Sequence, residues 1–284
     1  MGGLLAGVGV QAWVGHLSGV GGVAVAGAAI LSFVGLVDDR RGLPVGGRLA
    51  VQVLVAAACL VAMESRWAGG PSGLGLLGLL GMLVWLGWMT NLYNFMDGAD
   101  GLAGGMAAIG FGTLALSAGL GGVIDLAVLC ASISLAALAF LGFNFPPARI
   151  FMGDGGSIPL GFLAAALGWA GSIQGAWPGW YPALVFAPFV VDASWTLGQR
   201  MLKGEKFWRP HRDHHYQKMV RMGLGHRETV LRWYGALVVG SLIALGMRGL
   251  TPAWQLGVGV GWLGCLVGAG WLIDRRWAAH ASTP

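Results

Sequence analysis

Charge is what this chain has least of. Its 284 residues include 12 Asp and Glu and 17 Lys and Arg, together 10% of the sequence, where an ordinary soluble domain carries about a quarter. That scarcity excludes a water-soluble globular enzyme of this size, and no nucleic-acid partner is expected. Cysteine is scarce too. Cys59, Cys130 and Cys265 each lie inside an apolar run, with neither zinc spacing nor a disulfide framework, and are read as packing residues. The first residues lack a basic n-region, so no cleavable signal is expected. What remains is apolar: 56% hydrophobic residues, 52 Gly and 14 Trp place the chain among polytopic membrane proteins. In that class Gly lets spanning helices pack closely and Trp favours the interfaces.

Ten apolar passes can be drawn, at residues 3–17, 22–37, 49–63, 74–90, 102–120, 124–142, 158–173, 182–200, 229–247 and 254–273. Several fall short of the roughly 20 residues a full span wants, and the first two are either a short hairpin or one long tilted helix. The expected fold is all-α: a polytopic membrane helix bundle of about ten transmembrane helices, forming a single membrane-embedded domain over residues 1–284. The connections are of two kinds. Some are tiny or bland; the segments at 38–48, 91–101, 144–157 and 203–228 hold nearly all the polar chemistry. Two crossings separate each of these from the next, so all of them share one face. Of the 17 Lys and Arg, only Arg66 and Arg248 fall opposite. By the positive-inside rule the shared face is cytoplasmic, and with it the active site.

The chain is organised around Asn91-Leu92-Tyr93-Asn94-Phe95-Met96-Asp97-Gly98-Ala99-Asp100-Gly101-Leu102. Two carboxamides and two carboxylates recur every third residue, which puts them roughly on one side of a helical turn. Each ionised group at membrane depth costs about 2.5–3.5 kcal/mol. The stretch therefore reads as a site at a membrane edge for a metal ion and a phosphorylated ligand; the plainer alternative is a polar loop between two spans. Asp38-Asp39 ends the second pass. Adjacent carboxylates repel, so the pair is a candidate proton acceptor, metal ligand or both, or else a helix end neutralised by Arg40 and Arg41. In residues 144–157, Pro146-Pro147 forbids a continuing helix, and Ser157 reads as the N-cap of the next pass. Residues 153–156 would then present free N–H groups to phosphate, with Asp154 beside them for magnesium; a Gly-rich turn with a capping Asp is the alternative. The segment 203–228 is basic, with four histidines and interleaved aromatics suited to diphosphate, a base or anionic lipid headgroups. Asp192 is the one carboxylate well inside a pass, and a packing hydrogen bond and a catalytic role stand equal for it.

Taken together these motifs resemble the polyprenyl-phosphate N-acetylhexosamine-1-phosphate transferases. The residues that carry the likeness are Asp38-Asp39, the run Asn91…Asn94…Asp97-Gly98…Asp100-Gly101-Leu102, Phe151-Met152-Gly153-Asp154…Ser157, and Pro210-His211-Arg212…His214. They occur in the family's order, over roughly residues 2–275. The resemblance implies transfer of a sugar 1-phosphate from a UDP-sugar to undecaprenyl or another polyprenyl phosphate, releasing UMP, in a bacterial inner membrane. It places magnesium, with manganese an acceptable substitute, on Asn94 and Asp154. It makes Asp38 the acceptor of the lipid phosphate's proton, with Asp39 its partner and Asp154 also catalytic, and leaves both direct attack by the lipid phosphate and a covalent phospho-aspartate route open. Substrate binding would fall to Arg48, Asn91, Asp97, Asp100, His211, Arg212, His214 and His215. Magnesium, Arg48, Arg212 and the histidines would offset the repulsion of two approaching phosphates.

The Pro-His-Arg-x-His-x-Tyr-Gln pattern at 210–217 resembles the O-antigen-initiating branch and favours an N-acetylhexosamine or its 6-deoxy derivative. The phospho-N-acetylmuramoyl-pentapeptide transferases are the alternative within the family; a homodimer fits either. A CDP-alcohol phosphotransferase is disfavoured because Ala103-Gly104 stands where its motif needs Ala-Arg, and a transporter would put its acidic groups at mid-membrane. Family members usually carry one more helix and a basic segment ending Pro-x-x-Gly-Gly before these passes. The opening Met1-Gly2-Gly3-Leu4 resembles the tail of that segment, so an upstream start is expected.

Overall fold

The computed structural model describes residues 19–66, 75–205 and 211–281. Everything regular among them is helical: α1 Val20–Arg41, α2 Val45–Arg66, α3 Leu76–Phe95, α4 Leu102–Leu120, α5 Ile124–Asn144, α6 Asp154–Ile173, α7 Tyr181–Val185, α8 Ala187–Leu202, α9 His215–Met219, α10 Gly225–Gly246 and α11 Pro252–Ala281. A π turn at Val220–Leu224 joins α9 to α10. Eight stretches are long and apolar enough to cross a membrane, His215–Gly249 being counted as one. The expected pass at 3–17 lies outside the described residues.

The pass at 182–200 is not one helix. It breaks at Phe186 into α7 and α8, each opening with a proline in its first turn. Proline has no N–H to continue the ladder, so Pro188 starts a helix more readily than it sits inside one. The passes also run further than their apolar stretches. α1 carries Asp38 to Arg41 on its last turn and stops at Gly42, whose φ of 66° reverses the chain while its N–H donates to the Asp38 carbonyl at 2.8 Å. α2 begins before Arg48, and α3 includes Asn91 and Asn94. Asp38, Asp39, Arg48, Asn91 and Asn94 therefore sit on helix ends rather than in loops.

α4 and α6 are the most enclosed of the eight stretches and α11 the least. α6 packs on α1 and α3, and α4 packs on α5 and α10. Glycine sets the closest of these approaches. A Cβ at Gly35 of α1 would stand 2.5 Å from the Asp154 carbonyl oxygen, and Ser32 Oγ donates across the same seam to the Gly155 carbonyl at 2.6 Å. Gly161 is as tight against Met89 of α3. Gly35→Ala should therefore push α1 off the start of α6, where overpacking costs about 1–3 kcal/mol. A lowered Tm in detergent is expected; an unchanged Tm would show that the seam is looser than it looks.

Candidate active site

The C-terminal ends of α1 and α3 and the N-terminal ends of α2 and α6 meet at one end of the bundle. Arg48 links them. Its Nη1 donates to Asp38 Oδ2 and, at 2.9 Å, to Asp154 Oδ2, so one guanidinium bridges carboxylates 116 residues apart. Asp38 Oδ1 accepts from the Leu43 N–H at 2.6 Å. Asn94 Nδ2 donates to Asp154 Oδ1 at 2.8 Å and to Ser157 Oγ at 3.0 Å. The Arg48 Nε atom is buried with no hydrogen-bond partner, a donor left free for an oxygen ligand.

Asp39 has a different place from Asp38. Its two oxygens accept the N–H groups of Asp154 at 3.0 Å and Gly155 at 3.1 Å. α6 starts at Asp154 with Gly153 as N-cap, so Ser157 lies inside the helix, its Oγ donating to the Gly153 carbonyl at 2.9 Å. The N–H groups of Gly156 and Ser157 also turn back to that carbonyl. The N–H donors of residues 154–156 are thus already taken, the helix dipole drawing in the protein's own carboxylate before any phosphate.

The every-third-residue run does not share one side, because α3 ends at Phe95 and the chain then turns. Asn91 Nδ2 donates to Gln52 Oε1 of α2 at 2.8 Å, one turn away from the acids. Asp100 Oδ2 accepts the Ala148 N–H at 3.0 Å and its Oδ1 lies 3.2 Å from His226 Nδ1, which pins the 146–150 turn to the start of α10. Asp97 alone of the three stays with the acids. Burial, then the charges on Asp154 and Asp39, push its carboxyl up to about 7. Its folded form holds a proton that the unfolded chain gives up near pH 4, so its contribution to stability is full below that value and is lost as pH rises through 7. In chelator, Asp97→Asn should raise Tm relative to wild type at about pH 8 and leave it unchanged near pH 4. A Tm difference that stays flat across that range would remove Asp97 from the acid cluster.

The histidine segment docks on the same turn. Tyr216 Oη donates to the Phe95 carbonyl at 3.1 Å and lies against Gly98, and the His214 ring stacks on Phe95 at 6.3 Å between centroids. Buried Asp192 of α8 holds the segment from beneath: it accepts the His215 N–H at 2.9 Å and lies 3.5 Å from His214 Nδ1 and 3.3 Å from His215 Nδ1. The packing hydrogen bond expected of Asp192 is thus present. His215, with 4% of its side chain exposed, is enclosed between carboxylates, while Arg212 is exposed. His211 differs from the cationic role expected of it: burial first, then the charges of His214 and Arg200, lower its pKa to about 4, so it is neutral at pH 7. Pro210 lies outside the described residues.

Among the described residues, no group of three or more His, Cys, Asp or Glu side chains is arranged to hold a metal by itself. Magnesium does not require one, since it commonly binds through one or two carboxylates plus substrate phosphates and water. Asp154 and the Asn94 carboxamide oxygen are hard donors of that kind. The negative charges of Asp154 and Asp39 also act on Asp97 here, and a cation relieves their repulsion, so the residues fit the ion.

Comparison with known proteins gives a consistent picture. The family described as "Glycosyl transferase family 4" matches residues 22–172. The Bacillus subtilis protein named "Probable undecaprenyl-phosphate N-acetylglucosaminyl 1-phosphate transferase" is 30% identical over 153 residues, covering 53% of this chain and 43% of that protein. The "Decaprenyl-phosphate N-acetylglucosaminephosphotransferase" of Mycobacterium tuberculosis is 32% identical over 259 residues, covering 80% and 64%. The "Phospho-N-acetylmuramoyl-pentapeptide-transferase" of Geobacillus thermodenitrificans is 49% identical over 67 residues, covering 24% and 21%. The chain thus spans less than two thirds of the length of these curated relatives.

Proposed function

We infer that this chain, which belongs to glycosyl transferase family 4, transfers a sugar 1-phosphate from a UDP-sugar to a polyprenyl phosphate. An oxygen of the lipid phosphate attacks the phosphorus that bears the sugar. That P–O bond forms as the diphosphate bond breaks, and UMP leaves with the bonding electrons. The observation that carries this reading is the Arg48 bridge, in which a guanidinium with one unused buried N–H is shared between Asp38 and Asp154 at the membrane edge.

Each residue then has a task. An arriving phosphate offers Arg48 a bidentate partner and draws it from the two carboxylates. Asp38 Oδ2 is thereby freed to take the lipid phosphate's proton, while the Leu43 N–H keeps the carboxylate aimed. Asp39 holds the start of α6, and so Asp154, in place. Asn94 and Asp154 would hold magnesium, which when bound neutralises phosphate charge. Neutral His211 and stacked His214 offer hydrogen bonds and a ring face to the donor, and exposed Arg212 a charge. The names of the relatives support N-acetylglucosamine as the first sugar to try. The basic residues crowded at this end support a cytoplasmic active site in a bacterial inner membrane. The O-antigen-like pattern at 210–217 supports a place in envelope polysaccharide synthesis, and the short pentapeptide-transferase match supports the muramoyl donor as second candidate.

The test is UMP release by detergent-purified protein given polyprenyl phosphate and a panel of UDP-N-acetylhexosamines and UDP-muramoyl pentapeptide. UMP with matching lipid-linked product from one hexosamine is expected. Product from the pentapeptide donor alone would reassign the chain within its family, and none from any donor would overturn the reading.

A further inference from the structure

α11 is the least buried of the long helices, and Gly270 is its one buried residue. Its contacts are chiefly with α8 and the short α9. Yet near its end it carries a carboxylate with several partners. Asp274 Oδ1 accepts Lys218 Nζ at 2.6 Å and lies 3.4 Å from His215 Nε2. Its Oδ2 accepts Trp195 Nε1 at 3.0 Å and Gln199 Nε2 at 2.9 Å. One turn earlier, Gly270 brings the α11 backbone so near that a Cβ would stand 2.6 Å from His215 Cε1. One turn later, the Arg221 guanidinium sits 4.4 Å from the centre of the Trp277 ring while its Nη1 donates to the Arg212 carbonyl at 3.2 Å.

A helix that served only to cross the bilayer would have no use for these groups at this place. The contacts of Lys218, His215 and Arg221 tie α11 to the segment that carries His211, Arg212 and His214, and those of Trp195 and Gln199 tie it to α8. His215 is the keystone: buried between two helices, its Nδ1 lies 3.3 Å from Asp192 of α8 and its Nε2 3.4 Å from Asp274 of α11. Set between the two carboxylates, His215 holds the segment, and its neighbour His214 lies stacked against Phe95.

We propose that Asp274 is a positioning residue for the transfer reaction, bracing the 211–219 segment against the site through His215 and Lys218. The proposal rests on the transferase reading above. It adds a residue from a helix outside the span matched to the family, and it acts on the donor side, since the segment it braces reaches the turn that follows Asn94.

The experiment uses the full chain in lipid nanodiscs with Asp274→Asn, Asp274→Ala and Asp274→Glu. Two quantities are read: amide hydrogen exchange across 211–219, and kcat with KM for the UDP-sugar and for polyprenyl phosphate separately. In the Asn and Ala variants, exchange should quicken at 211–219 while α1 to α6 keep their protection. kcat should fall roughly tenfold or more, as for other losses of an orienting partner, with donor KM raised and acceptor KM held. Asp274→Glu should restore part of both. A merely structural role predicts lowered Tm and yield with neither the donor-only shift nor the confined exchange. Unchanged protection at 211–219 in Asp274→Ala overturns the brace, and lost protection with unchanged kcat overturns the positioning role. Exchange needs no turnover, so wild type inactive with every donor would refute the transferase reading while the brace is still decided by exchange.

Discussion

Asp154→Asn should leave a folded protein with transfer reduced by at least about a thousandfold. The substitution keeps shape, and the cap on α6 is made by Asp39 to backbone N–H groups, which it does not touch. What it removes is a charge that serves twice: one oxygen takes Arg48 and the other takes Asn94. Without it the guanidinium settles on Asp38 alone, and the hard anionic donor for magnesium is lost. UMP release, read beside Tm and expression, checks this. Activity within about tenfold of wild type would take Asp154 out of the chemistry.

The second large effect concerns Arg48. Arg48→Ala should abolish most turnover, roughly a hundredfold or more, because it deletes the cation that meets the incoming phosphate. It also leaves Asp38, Asp39, Asp97 and Asp154 together with no guanidinium between them, so Tm in chelator should fall. Arg48→Lys should recover Tm better than turnover. An ammonium is a point charge that can ease the repulsion, but it lacks the planar fork that spans Asp38 and Asp154 and then a phosphate. Lysine matching arginine in kcat would mean that Arg48 supplies charge only.

The acids and the end of the bundle they share were legible in the sequence because each breaks an apolar run, and such a break costs enough to need a reason. Asp38, Asp39, Asn94, Asp97 and Asp154 were found that way. Their division of labour was not. Asp39 and Asp154 are 115 residues apart, and no local period tells that one caps the helix that the other begins. The spacing of Asn91 to Asp100 suggested one shared side only on the premise that the helix continued, and α3 stops at Phe95. Pro182 and Pro188 did announce the broken pass, but the apolar run outweighed them. Asp274 is masked in the sequence by Arg275-Arg276 beside it, which carry plain positive-inside charge. The signal was there nonetheless: an acid followed by two arginines at the end of a pass repeats the pattern of Asp39-Arg40-Arg41.

The seam between α1 and α6 has a consequence for how the bilayer acts on the protein. Gly35 brings the two backbones together and Asp39 ties the end of one to the start of the other, so they move as a single strut. α1 has 22 residues, a length of about 33 Å against a hydrocarbon layer of about 30 Å. A thinner membrane is met by tilt, and the strut tilts whole. The acid cluster then changes its depth below the headgroups while its internal distances stay fixed. Membrane thickness should accordingly govern how readily a lipid phosphate reaches Arg48, and hence the apparent affinity for acceptor, and leave the rate of the bound complex alone.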